Sequence, residues 1–135
     1  MIAQSVAVAE LMTTRVLFAK PEQDFQEIAR LFGELHIHHL PVTDENGKLV
    51  GIISANDIMK AYSRWRAADD QLSRLSLKVA DLMTSSPYYV CPSSSIQKAA
   101  ELFTLHGIQS LPVVEGNKVV GIITSRDLVR YFAEL

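Results

Sequence analysis

The chain states one pattern twice, 71 residues apart. At that offset "VAELMT" (Val8 to Thr13) falls on "VADLMT" (Val79 to Thr84), Pro21 on Pro92, Gln26 on Gln97 and Phe32 on Phe103. "LPV" at Leu40 falls on "LPV" at Leu111, and after a one-residue gap near Gly47 the register closes on "GIISAND" and "GIITSRD". About twenty identities in roughly 54 aligned positions exceed what chance gives at one register. The chain is a tandem duplication, so whatever it folds into must accept two similar units.

Within each copy the periodicity is helical first. Phe25, Ile28, Ala29, Phe32 and Leu35 recur at helical spacing, as do Ile96, Ala99, Ala100, Phe103 and His106. Asp24, with Glu27 three residues on, marks a helix start, and Ser95 holds the same place in the second copy. The branched runs "HLPVT" and "SLPVV", the turns "DENG" and "EGN", and "KLVGIIS" and "KVVGIIT" predict a β-hairpin in each copy. A second helix is expected after Ser54 and after Thr124. Each copy thus reads as strand, helix, hairpin, helix, too small to cover its own sheet. The charged stretch from Ser63 to Lys78 has no proline or glycine and is expected to prolong the first copy's last helix.

The order "LMT…P…LPV…G…VGII[ST]-x-x-D", written twice, resembles the CBS domain, and the tandem resembles a Bateman module. The resemblance runs from Val8 to Tyr62 and from Val79 to Phe132. It implies an α/β chain of the α+β kind, with two CBS motifs packed as a pseudo-twofold pair. The expected division is a first motif over 8–66, a linker over 67–78 and a second motif over 79–135.

The tetrads Ser54-x-x-Asp57 and Thr124-x-x-Asp127 admit two compatible readings. As capping arrangements, the hydroxyl satisfies a free amide and the acid sits at the positive end of the helix dipole. As ligand sites, they lie where a strand ends and a helix opens, a place suited to phosphate. In the family this tetrad is the nucleotide signature. The resemblance therefore implies that Asp57 and Asp127 hold a ribose, with Ser54 and Thr124 as nearby hydroxyl contacts. It places the adenine contacts at Val16 and Leu40 in one copy and at Tyr88 and Leu111 in the other, each of which, taken singly, reads first as ordinary core. Arg126 could neutralise phosphate or stand exposed on the first helical turn.

"HIHH" (His36 to His39) puts His36 and His38 on one face if it is a strand, which raises a metal site. No cysteine or acid cluster follows, and the second copy has "GIQS" there. Relatives with a His-Arg pair before "LPV" imply instead that His38 and His39 reach phosphate, a grip sensitive to pH near neutrality; the plain alternative is a pair of partly exposed strand histidines. Cys91 has no activating neighbour in sequence.

Thirteen basic against fifteen acidic residues exclude a strong overall field toward nucleic acid or anionic membranes. A single cysteine and the lack of a leader or long apolar span suggest the cytosol. No nucleophile elbow, paired carboxylates or glycine-rich phosphate loop is present, so no enzyme and no cofactor are expected. The expected function is a regulatory module that binds an adenosine-containing ligand (AMP, ADP, ATP or S-adenosylmethionine) in the cleft between the motifs and signals to an effector protein. Family resemblance adds a homodimer in the form of a flat disc. The rivals are a ligand-free interaction scaffold and a metal sensor built on His36, His38, His39 and Cys91.

Overall fold

The computed structural model describes residues 6–68 and 77–135. The expected helices and hairpins are all present. In the first copy they are α1 (Phe25–Leu35), β1 (His39–Thr43), β2 (Leu49–Ser54) and α2 (Ala55–Ala68). A short helix α3 (Val79–Leu82) and strand β3 (Thr84–Ser85) open the second copy. It continues with α4 (Ile96–His106), β4 (Ser110–Glu115), β5 (Lys118–Thr124) and α5 (Ser125–Ala133). The charged stretch stays helical to Ala68; the rest of it up to residue 76 lies outside the described residues.

Local chemistry accounts for the boundaries. Asp24 Oδ1 accepts from the Glu27 amide at 2.8 Å, and Ser95 Oγ accepts from the Lys98 amide at 3.0 Å, so both long helices start at the expected caps. α1 ends at His36 and α4 at Gly107, both left-handed, with φ of 54° and 63°. The β4–β5 hairpin turns in two residues, with Glu115 paired to Lys118 and Gly116 supplying a positive φ of 63°. The β1–β2 turn is longer. There Asp44 Oδ1 accepts from the amides of Asn46 and Lys48 at 2.9 and 3.0 Å, bonds that lower the Asp44 pKa.

Two compact units divide the chain, and their borders fall inside the copies. One unit is residues 17–87; the other joins 6–16 to 88–135. In the first, Ala19 bridges parallel to Val42 on β1, while β3 of the second copy pairs antiparallel with β2 through Thr84–Ile52 and Ser85–Gly51. In the other, Val90 bridges parallel to Val113, while Thr13 of the first copy bridges antiparallel to Ile122. The Thr13 amide donates to the Ile122 carbonyl at 2.9 Å, and the Ile122 amide donates back at 3.0 Å. Each "MT" therefore serves the hairpin of the opposite copy. The expected opening strand is reduced to these single-residue bridges and short pairs.

The same exchange ties down the helical turns beside it. Val8 and Ala9 donate to the carbonyls of Ser94 and Pro92, and Val79 and Ala80 donate to those of Gln23 and Pro21. Val8 and Val79 are fully buried, each in the core of the unit that receives it. Ile28 and Ile53 fill the 17–87 core, and Leu111 and Ile123 the other; each such side chain contributes about 1.5–3 kcal/mol by burial. Among the described residues no helix is long and apolar enough to cross a membrane.

Candidate functional site

Each unit carries one hydroxyl–aspartate tetrad where its hairpin runs into a helix. In the 17–87 unit, Ser54 closes β2 and Asp57 stands in the first turn of α2. The Ser54 amide and Ser54 Oγ both donate to Asp57 Oδ2, at 2.8 and 2.9 Å, and the Asp57 amide lies 3.1 Å from Ser54 Oγ. In the other unit the Thr124 amide donates to Asp127 Oδ2 at 2.8 Å, and the Asp127 amide donates to Thr124 Oγ1 at 3.2 Å. Both are reciprocal capping boxes.

Capping occupies only one oxygen of each carboxylate. Asp57 Oδ1 makes no hydrogen bond among the described residues, and Asp127 Oδ1 has only Arg130 Nη1, at 3.9 Å. Arg130 is 62% exposed, so this pair is worth little by itself. Both aspartates are half-buried. Each unit thus keeps one carboxylate oxygen outside its capping box, able to accept from a hydroxyl.

The surroundings of the two carboxylates differ. His39 pairs with Ser54 in the β1–β2 register and is half-buried, with its pKa lowered by burial first and by His38 second, while Asp57 acts in the raising direction. The His38 carbonyl accepts from the Ala55 amide at 2.9 Å, which anchors the start of α2, and its side chain is exposed. His38, His39, Ser54 and Asp57 are thus drawn into one neighbourhood. In the other unit the partner of Thr124 is Ser110, buried to 7% exposure, and the Gln109 carbonyl takes the Ser125 amide at 3.0 Å. Arg126 is exposed and forms no ion pair among the described residues.

The four expected apolar contacts separate by burial. Leu40 and Leu111 pair with Ile53 and Ile123 and point their side chains into the two cores. Val16 is half-buried at the border of its unit, and Tyr88 is 50% exposed. Tyr88 stacks on His106, ring centroids 3.8 Å apart and 13° from parallel, a contact the repeat pattern did not single out. Comparing copies would have flagged it: the 71-residue offset sets Tyr88 opposite Leu17 and His106 opposite Leu35.

For the metal reading, no three His, Cys, Asp or Glu side chains gather as a metal site among the described residues. His36, the left-handed cap of α1, lines an open depression of about 420 Å³ with Phe32, Gly33, His38, Ile58 and Met59.

The CBS domain model matches residues 8–64 and again 79–134. The chain belongs to the CBS-domain family. Its fold is that of a CBS domain pair. The pair from protein MJ0100, solved in complex with 5′-methylthioadenosine and S-adenosyl-L-methionine, is 29% identical with a TM-score of 0.83, over 96% of this chain and 97% of that one. CBSX2, solved in complex with AMP, is 30% identical with a TM-score of 0.81, over 95% and 96%. The homoserine O-acetyltransferase of Methanococcoides burtonii is 34% identical over 125 residues. Those residues take in 92% of this chain but 24% of the acetyltransferase, so the chain spans about a quarter of that relative's length.

Proposed function

We propose that this CBS pair is a regulatory module that binds an adenosine-containing ligand at its hydroxyl–aspartate helix starts and responds by a change of conformation. The supporting observation is the unspent carboxylate oxygen on each tetrad, in a chain of the same fold as pairs solved with AMP or with S-adenosylmethionine. Asp57 and Asp127 take the ribose hydroxyls, Ser54 and Thr124 stand beside them, and Tyr88 meets the base. Val16 and the backbone of Leu40 and Leu111 border the ligand. His38 and His39 in one unit offer imidazole hydrogen-bond donors for phosphate, and Arg126 in the other offers charge. No step of covalent chemistry is involved; the output passes to an effector protein or through self-association as a homodimer.

Thermal melting with AMP, ATP, S-adenosylmethionine and a pyrimidine nucleotide tests this. A ligand at 100 times its dissociation constant adds about 2.7 kcal/mol to the folded state. An adenosyl compound raises the melting temperature and the pyrimidine does so much less; equal responses sink the reading. The reciprocal capping bonds of both tetrads favour a second reading, a ligand-free interaction scaffold whose aspartates are caps alone. That reading predicts no response to any nucleotide.

A further inference from the structure

Tyr88 and His106 are held from two firm pieces of backbone. Two residues beyond Tyr88, the Val90 amide donates to the Pro112 carbonyl at 3.1 Å and the Val90 carbonyl accepts from Val114 at 2.8 Å, fastening that segment to β4. His106 is the last residue of α4, set by the left-handed Gly107 cap that follows. The imidazole covers one face of the phenol ring at 3.8 Å, yet Tyr88 remains 50% exposed. The first copy has leucines at both positions, Leu17 and Leu35, which are 48% and 47% exposed. Two branched side chains in one copy have thus become two flat, stacked rings in the other.

An exposed tyrosine that receives a purine on its ring must give up rotamer freedom on binding. A ring already clamped from behind has lost that freedom beforehand, and aromatic platforms recognise a base by its π-face. We infer that His106 is a positioning residue that presets Tyr88 as a platform, so that the base of the ligand completes a three-ring stack of His106, Tyr88 and purine. This rests on the function proposed above. It adds a specificity element to one unit that the other lacks, favouring ligands with a planar aromatic base there.

Two measurements test it. In the free protein the His106 Hε1 proton resonance is displaced upfield by the Tyr88 ring current, and Tyr88→Leu removes the displacement; a resonance indifferent to that change overturns the stack. Calorimetric titration of AMP, ATP and S-adenosylmethionine then compares wild type, His106→Leu and His106→Phe. His106→Leu and Tyr88→Leu each weaken the tightest of these ligands by about five- to tenfold, while His106→Phe stays within about twofold of wild type because a flat ring is restored. Wild-type affinity in His106→Leu, or a loss in His106→Phe equal to that in His106→Leu, overturns the positioning role and leaves the functional reading standing. No binding of any of the three by wild type overturns that reading and this inference together.

Discussion

A methyl group on Gly121 would sit 2.8 Å from the carbonyl oxygen of Thr13, closer than side-chain carbons come to backbone. Gly51 stands in the same relation to Thr84, at 3.0 Å, and Met12 and Met83 press on the two glycines from the side. The glycine of each "GII" is therefore fitted to the "MT" of the opposite copy, and the two motifs repeat together because each is half of one contact. Gly121→Ala or Gly51→Ala is expected to cost about 1–3 kcal/mol, through displacement of a bridged backbone. Urea unfolding measures it; an unchanged midpoint for Gly121→Ala would show that the Thr13 bridge yields freely.

His36 carries a left-handed backbone (φ 54°) that the second copy gives to Gly107 (φ 63°). His36→Gly should stabilise the protein by about 0.5–1 kcal/mol, since glycine takes this conformation without a side-chain clash. Thermal unfolding of the variant reads the sign directly, and a loss of stability would mean that the imidazole makes contacts outweighing the strain.

Burial, helped by His38 and partly opposed by Asp57, holds the His39 pKa below its ordinary 6.5. The unfolded chain then binds protons more readily than the folded one in the interval just below pH 6.5, so this residue's contribution to stability declines as pH falls through it. Melting temperatures of wild type should drop further from about pH 7.5 to about pH 5.5 than those of His39→Asn. Parallel slopes would remove His39 from the account.

The tetrads separate capping from ligand binding by magnitude. Asp57→Asn or Asp127→Asn should cost a few tenths to about 1 kcal/mol of stability, through weakened attraction between the carboxylate and the helix dipole. If the free oxygen also holds a ribose, affinity falls in addition by about 1.5–3 kcal/mol, the worth of hydrogen bonds to a charged acceptor. Calorimetry of both variants decides this, and affinity unchanged in both leaves the aspartates as caps.

Exposed apolar side chains recur on the last helix of each copy: Met59 and Tyr62 on α2, Val129 and Phe132 on α5, 48–64% exposed. Both pairs lie three residues apart on one helical face, as a surface meant for burial would. Sedimentation at micromolar protein is expected to show a homodimer, and Phe132→Arg to shift it toward monomer. A monomeric wild type would leave these patches without a partner copy.

The helices and hairpins were legible because each rests on a local signal: Asp24 and Ser95 as caps, "EGN" as a two-residue turn, Ile52 and Ile53 beside a strand glycine. The exchange of "MT" between copies was not legible. A bridge through one residue, such as Thr13 with Ile122, has no periodicity, and the repeat register assigns Thr13 to the copy it opens. At the tetrads the sequence supplied the residue types and their reciprocal bonding, while the lowered His39 pKa and the neighbour of Tyr88 depend on strand register and helix length. Those are long-range quantities that spacing does not encode.

Because the two units share the chain in an interleaved order, they cannot mature in the order in which they are made. Residues 6–16 are made before residues 17–87, yet this segment's partners, the turn before α4 and the strand β5, come after them. The 17–87 unit meanwhile has all of its parts once Ser85 is out. Val8, a core residue of the divided unit, therefore waits for its partners while residues 17–87 are made, and its burial is completed by segments that follow them.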